Sequence, residues 1–452
     1  MKTVSYGLGR RIINPTLPVS LAGYFNVRRL TEVFDDIEVR AIVFREDGKQ
    51  FLLVQFDLIT VTEIMYRKVM EAIADLPQFN EENVLMTAIH THTAQDYRPS
   101  CPIYDPAVLE EIIPHAKAAI HDAVADQRSG TAWCGMTFDD RFIFNRRYWM
   151  KNGKVVTNPG KLNPEIDRPE GLTDAEIPLF AIKNDKGEID LLLAGIVNHT
   201  DTIGGTELSA DWVGFLHRSL EEHELAPGGM MCPLIGASGN INHFDVSTDM
   251  NQAQYAEARR LGLGYAETIR AALKDLRPVE GETFRIMSAV VEAGPAEVKQ
   301  EEIDAAQATV EKYKDVPSPA EAGITLTSEH LANGEPIALK YFAQSVLNTV
   351  AANHQYRFRL SGLQIGNVVF ASLPGEPFVE IGLEVRKQVF GDKCCFVISH
   401  GNGTGNLQVG GGYIPNIWNY DRGGYETEIH SNPFERATAA KLADGWRKAA
   451  GK

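Results

Sequence analysis

Apolar runs of strand length recur from one end of this chain to the other. They include QFLLVQFDLI (50–59), NVLMTAIHTH (83–92), IPLFAI and IDLLLAGIV (177–197), MMCPLIGAS, VVFASLPGEPF (368–378) and CCFVIS. Such runs, bounded by Gly, Pro, Asn and Asp, read as buried strands. IEVRAIVFRE and QFLLVQFDLI flank a turn at Asp47-Gly48, and NDKGE turns the 177–197 pair, so two hairpins are predicted. Between the strands the spacing becomes helical, with Ile64, Val69, Met70 and Ile73 inside Thr62–Ala74. Helices are also predicted over 107–125, DWVGFLHRSLEE, 252–275 and 376–389. Strands, hairpins and helices that interleave in this way predict an α/β fold of layered mixed sheets flanked by helices. The whole chain, 1–452, is read as a single large domain. Residues 297–340 are charged and Ala-rich and read as surface helices, an insertion or a lid.

Composition narrows the partners. There are 60 Asp and Glu against 44 Lys and Arg, a net charge of −16. A chain this acidic is repelled by phosphate backbones and anionic membranes, so a small molecule is expected rather than nucleic acid. No apolar stretch is long enough to span a bilayer. The N-terminus has no signal-peptide apolar region, so a cytoplasmic location is expected. The five cysteines are odd in number and form no CxxC, which argues against a disulfide framework and a thiolate metal site. Oligomeric state is not set by the sequence, and a homo-oligomer stays open.

Several strand ends carry groups capable of chemistry. NVLMTAIHTH closes on His90 and His92, and residues i and i+2 of a strand project from one face. The pair is either two hydrogen-bonded imidazoles or half of a metal site. GIVNHTDT ends a second strand at His199. VVFASLPGEPF presents Glu376 after Pro374-Gly375, where an acid also suits a helix N-terminus. The Gly-rich stretch HGNGTGNLQVGGGYIPN follows another strand, but no helix pattern follows it, which argues against a phosphate cradle. Two histidines and a carboxylate match a catalytic zinc site that keeps a position open.

The same segments, in the same order, resemble the neutral/alkaline ceramidase family of zinc-dependent amide hydrolases. The resemblant stretches are NVLMTAIHTHT, NRRYWMKN, VNHT…LSADW, LIGASGNINHFD, LPGEPF and GGYIPNIWNYDRGGYE. The resemblance implies zinc ligands at His90, His199, Glu376 and Tyr413. It also implies active-site roles for His92, Arg146, Tyr425 and Asp211. His92 would shuttle a proton and Arg146 and Tyr425 would donate to developing negative charge. Asp211 would orient a histidine, bind a substrate hydroxyl, or simply cap the following helix. Asn242 stands where the family has serine. Gln95, Asp96 and His243 replace family residues nearby, so these four are expected around a substrate that is more polar than ceramide. The chain ends soon after the tyrosine-rich loop, so the family's β-sandwich domain is expected to be missing. The expected activity is zinc-dependent hydrolysis of an amide-type bond in a small polar substrate. A glycoside or other hydroxyl-rich substrate is the alternative, and a non-catalytic binding homologue is the third reading.

Overall fold

The computed structural model describes residues 2–16, 19–24, 27–99, 101, 105–324, 326, 330 and 333–452. Its larger sheet takes β1 (Thr3–Ile12), β2 (Glu38–Glu46), β3 (Lys49–Phe56), β4 (Val84–Ala88), β5 (Arg128–Phe138), β6 (Glu176–Lys183), β7 (Ile189–Ile196) and β8 (Leu225–Ile235). The strand order is β8-β7-β6-β5-β1-β2-β3-β4. Only β3/β4 and β7/β8 pair parallel; the remaining neighbours along this order are antiparallel. A second sheet has the order β9-β10-β11-β12, from Phe284–Ala293, Tyr356–Ile365, Val368–Ser372 and Cys394–Ile398, and its last pair is parallel.

The apolar runs are near-continuous because both faces of these strands are covered. Val39, Ala41 and Val43 of β2 face a core built with helices α1 (Glu63–Ala72), α2 (Pro106–Ala125), α3 (Asp211–Glu224) and α4 (Gln254–Ala272). Ile42 and Phe44 of the same strand face the other way, into a core shared with Val368, Phe370, Phe396 and Ile398 of the second sheet. The outer face of that sheet, through Phe358, Leu360 and Val369, packs on Leu442 and Trp446 of the C-terminal helix Thr438–Ala450. The order of layers is helix, sheet, sheet, helix. Close approach in the first layer depends on glycine. A Cβ on Gly9 of β1 would lie 2.0 Å from the Ala119 carbonyl oxygen of α2.

Two sequence expectations change. The strand before the histidines stops at Ala88, and His90 has φ +65°, so the period-two argument does not apply to His90 and His92. Residues 376–389 are not one helix. Glu376–Pro377 is a short strand, Val379–Leu383 is α-helical, and Glu384–Phe390 is a π-helix. The charged segment holds helices Gln300–Lys312 and Pro319–Ala322, with Pro336–Ala352 following. Part of it (325, 327–329 and 331–332) lies outside the described residues.

The large sheet curls. Gln55 on β3 donates to the Pro233 carbonyl on β8, although these strands are near opposite ends of the strand order. Between them sits the end of β12: Ser399 N–H donates to Ile235 O at 2.9 Å, and the Thr87 hydroxyl donates to Ser399 O at 2.7 Å. The carboxyl ends of β4, β7, β8, β11 and β12 therefore gather at one rim, where α/β folds place their sites.

Candidate metal centre

Each of those strand ends contributes to one cluster. His90 follows β4, His199 follows β7, Ser238 follows β8, Glu376 follows β11 and His400 follows β12. The two histidine loops are tied together: His92 N–H donates to Thr200 O at 3.3 Å, and the Thr200 hydroxyl donates to Ile89 O at 2.6 Å. The backbone carbonyl of His199 accepts from the Trp212 indole at 2.9 Å. Glu376 and Tyr413 are partners in a two-residue parallel bridge, so backbone pairing sets both side chains at the same rim.

The His90, His92 and His199 side chains are buried, and one ligand atom from each lies within 4.8 Å of the others. His90 Nε2 is 3.0 Å from His199 Nε2 and 3.3 Å from His92 Nε2. Glu376 Oε2 is 3.4 Å from His90 Nε2 and 3.7 Å from His199 Nε2, and it is buried without a hydrogen-bond partner. The tautomers explain why these contacts are unusual. His90 Nδ1 lies 2.8 Å from the Ile59 carbonyl oxygen and His199 Nδ1 lies 3.2 Å from the Ser238 carbonyl oxygen. Only a protonated nitrogen donates to a carbonyl, so in the neutral rings Nε2 carries the lone pair. Two lone pairs then face each other at 3.0 Å, with a carboxylate oxygen beside them. Ligand atoms about 2.0–2.1 Å from a tetrahedral ion lie about 3.3 Å apart. The observed separations fit that spacing, so the donor set suits a divalent cation.

Burial pushes the His92 and His199 imidazoles well below their ordinary range; His90 and Arg28 add to this for His92, and Arg146 for His199. Both rings are thus held in the neutral, metal-binding form. Burial works to raise the Glu376 carboxyl, but His90, Arg146 and the Tyr413 hydroxyl outweigh it and hold it low. Burial raises the Tyr413 hydroxyl well above its ordinary range, and Arg146 opposes only in part.

Arg146 sits beside the cluster, with Nη1 3.5 Å from His199 Nε2 and its guanidinium 5.0 Å from the Tyr413 ring centroid. Its Nε donates to Glu426 at 2.8 Å, and its Nη2 is buried without a partner. Tyr425 and Tyr413 lie with ring centroids 5.7 Å apart. A cavity of about 370 Å³ reaches His90, His92, Glu376, Tyr413 and Tyr425, and is also lined by Tyr24, Thr60, Asp96, Arg98, Tyr341, Thr349, His400, Gln408 and His430.

Of the four polar residues expected around a substrate, Asp96 lines this cavity and pairs with Arg98 at 2.8 Å. Gln95, Asn242 and His243 do not line it. Gln95 donates to Ile13 O at 2.9 Å, Asn242 to Asn158 at 2.9 Å, and His243 Nε2 is 2.7 Å from Gln252 O. Asp211 is also absent from the lining. It is the first residue of α3, not the residue before it, at φ +55°. Its carboxylate accepts the N–H groups of Thr202 and Ile203 at 2.9 and 3.0 Å, and so pins the loop after His199.

Sequence reasoning gave no role to three groups. His400 stacks on His90 with centroids 4.2 Å apart; it ends an apolar strand just as His90 and His199 do, and that signal was readable. Asp201 lies two residues past His199, with Oδ1 3.5 Å from His92 Nδ1. Tyr24, whose hydroxyl donates to Asp201, had no signal in its surroundings.

The layered helix-sheet-sheet-helix order has counterparts among solved structures. No protein-family model and no curated protein matches the chain. The neutral ceramidase from Pseudomonas aeruginosa matches over 100% of this chain and 74% of its own, with TM-score 0.72 and 16% identity. A ceramidase complexed with C2 matches over 100% and 75%, with TM-score 0.71 and 16% identity. The chain has a neutral-ceramidase-like fold.

Proposed function

We propose that this protein is a metal-dependent hydrolase, with zinc as the cation, acting on an amide-type bond of a small polar substrate. The observation that carries the reading is the convergence of imidazole lone pairs and the Glu376 carboxylate at the separations a bound cation requires. His90, His199 and Glu376 would hold it, flanked by His92, expected above as a proton shuttle, and by Tyr413, expected above as a fourth ligand. A divalent cation there supplies Lewis-acid polarisation and lowers the pKa of water toward neutrality. The chain's own groups do the rest. Tyr413 hydrogen-bonds Glu376 and keeps the carboxylate oriented. Arg146, anchored by Glu426, offers its unpartnered Nη2 to negative charge that develops on a carbonyl oxygen. Tyr425 supplies a second hydroxyl on the cavity wall. The neutral-ceramidase-like fold supports a hydrolase, and retained site groups speak against a non-catalytic homologue.

The cavity supports a small substrate. Its volume is at the low end of ligand pockets, about 300–1,000 Å³, and Thr60, Asp96, Arg98 and Gln408 make its wall polar. A two-chain lipid would leave much of its hydrocarbon outside. The test is a panel of short N-acyl amides, long-chain N-acyl amides and glycosides, offered to zinc-loaded protein. Turnover of short polar amides, lost on chelation, is the expected result. Turnover of glycosides alone would move the reading to the hydroxyl-rich alternative, and turnover of no member by the loaded protein would leave a binding protein.

A further inference from the structure

We propose that Arg98, with the glycine loop 410–412 beside it, anchors a carboxylate, so that the substrates are small amides carrying a carboxylate away from the bond that is cleaved. The inference deepens the hydrolase reading above and rests on it. One cavity of about 370 Å³ takes both ends of such a molecule. His90 and Glu376 line it, and so do Arg98, Gly410, Gly411 and Gly412. Arg98 Nε and Nη2 donate to Asp96 Oδ1 and Oδ2, each at 2.8 Å. That contact occupies one side of the guanidinium, whose five N–H donors form a fixed fork. Nη1 has no hydrogen-bond partner among the described residues. The remaining edge, Nη1 with the second N–H of Nη2, has the two parallel donors that pair with a carboxylate. Arg98 is the member of the pair that a ligand meets: its side chain is 24% exposed, against 5% for Asp96.

Charge sets the class of ligand. Burial works to lower the Arg98 guanidinium, but Asp96 outweighs it, so the cation persists. Asp96 has both oxygens on Arg98 and also accepts the Arg98 backbone N–H at 3.0 Å, which leaves little for a substrate ammonium. The other carboxylate of the cavity, Glu376, faces His90 and His199. The glycine loop adds donors of its own. Gly410 lies against the Arg98 stem, where a Cβ would be 3.2 Å from Cδ. The N–H groups of Gly410, Gly411 and Gly412 donate to no acceptor among the described residues. Successive backbone N–H groups left in this way are the material of anion-binding concavities. No helix follows this Gly-rich stretch, which argued against a phosphate cradle; a single negative charge beside an arginine needs no helix. Asp96, already on the same guanidinium, favours that single charge over a dianion.

The experiment is isothermal titration calorimetry of the zinc-loaded full chain with succinate, glutarate and adipate, each compared with its half-amide. One carboxylate of a diacid meets the cation, as the scissile carbonyl would, and the other reports on Arg98. At least one diacid should bind wild type about 10- to 100-fold more tightly than its half-amide, the worth of a charge-assisted contact. Arg98→Gln should bring that ratio below about 3-fold while half-amide affinity holds. Arg98→Lys should keep part of the ratio, because the charge stays and the fork is lost. Asp96→Asn/Arg98→Gln leaves no unpaired carboxylate and should match Arg98→Gln even if the single variant folds poorly. A ratio near one for every diacid in wild type, or a ratio unchanged in both Arg98→Gln and the double variant, overturns the proposal and leaves the metal centre standing. Wild-type protein that holds no zinc by elemental analysis overturns the metal-centre reading and the proposal with it.

Discussion

Replacing Glu426 by glutamine removes the anion on which two buried guanidinium groups depend. Its carboxylate is fully buried and accepts from Arg146 Nε at 2.8 Å, Arg147 Nη1 at 2.7 Å and the Thr157 hydroxyl at 2.7 Å. Arg147 keeps Glu170 at 3.3 Å, but Arg146 loses its ion-pair partner. Removing one member of a buried pair typically costs about 3–5 kcal/mol, because a charge is left in a poorly solvated place. That is a large share of a typical net stability of about 5–15 kcal/mol. With a urea slope of about 3 kcal/mol/M, the midpoint should fall by about 1 M or more. The loss should depend on pH in a defined direction. Burial alone would raise the Glu426 carboxyl, but Arg146 and Arg147 outweigh it and hold its folded pKa low. A depressed carboxyl contributes stability that is complete above its unfolded pKa, about 4.3, and is lost as pH falls through the lower folded value. The gap between wild type and Glu426→Gln should therefore be full at pH 7 and narrow below about pH 4. Urea unfolding at a series of pH values checks this. A loss below about 1 kcal/mol at pH 7 would refute the claim that this carboxylate neutralises two buried arginines.

Three further outcomes follow from the packing and charge pattern. Gly9→Ala should destabilise by at least about 1–3 kcal/mol, since its Cβ would meet Ala119 O at 2.0 Å; thermal unfolding reads the loss. Trp446→Ala should cost about 3–5 kcal/mol, because the side chain is fully buried and its indole donates to Ser372 O at 2.8 Å; denaturant titration measures it. Glu221→Gln should cost on the order of 3 kcal/mol at pH 7. Burial raises this carboxyl, but His217, Arg10 and the Met231 N–H outweigh it and bring it to about 2. Its contribution should thus be full above about pH 4.3 and disappear as pH falls toward about 2, which an acid-unfolding series compares with wild type.

The fold was legible where local pattern and tertiary burial agree. Strands such as QFLLVQF are apolar on both faces because Leu52 and Val54 meet the helices while Phe51 and Leu53 meet the second sheet. The histidine pair was found for a reason that does not hold. His90 and His92 are beyond the strand, and a left-handed residue, not strand alternation, brings their Nε2 atoms to 3.3 Å. Glu376 and Tyr413 are far apart in sequence, and their backbone pairing left no local trace. Gln95, Asn242 and His243 sit near site residues in sequence, but their polar atoms bond to the chain itself, which neighbourhood alone does not reveal. Tyr24 reaches Asp201 only through tertiary packing, so no spacing rule would select it. The π-helix at Glu384–Phe390 replaces the regular helix that its composition suggested.

The most direct test is the zinc content of purified protein after loading and exhaustive dialysis, measured by elemental analysis alongside far-ultraviolet circular dichroism. One zinc per wild-type chain is expected, with loss of the ion and retention of the fold in His90→Ala and His199→Ala. Full occupancy in either variant would contradict the assignment of those imidazoles as its holders.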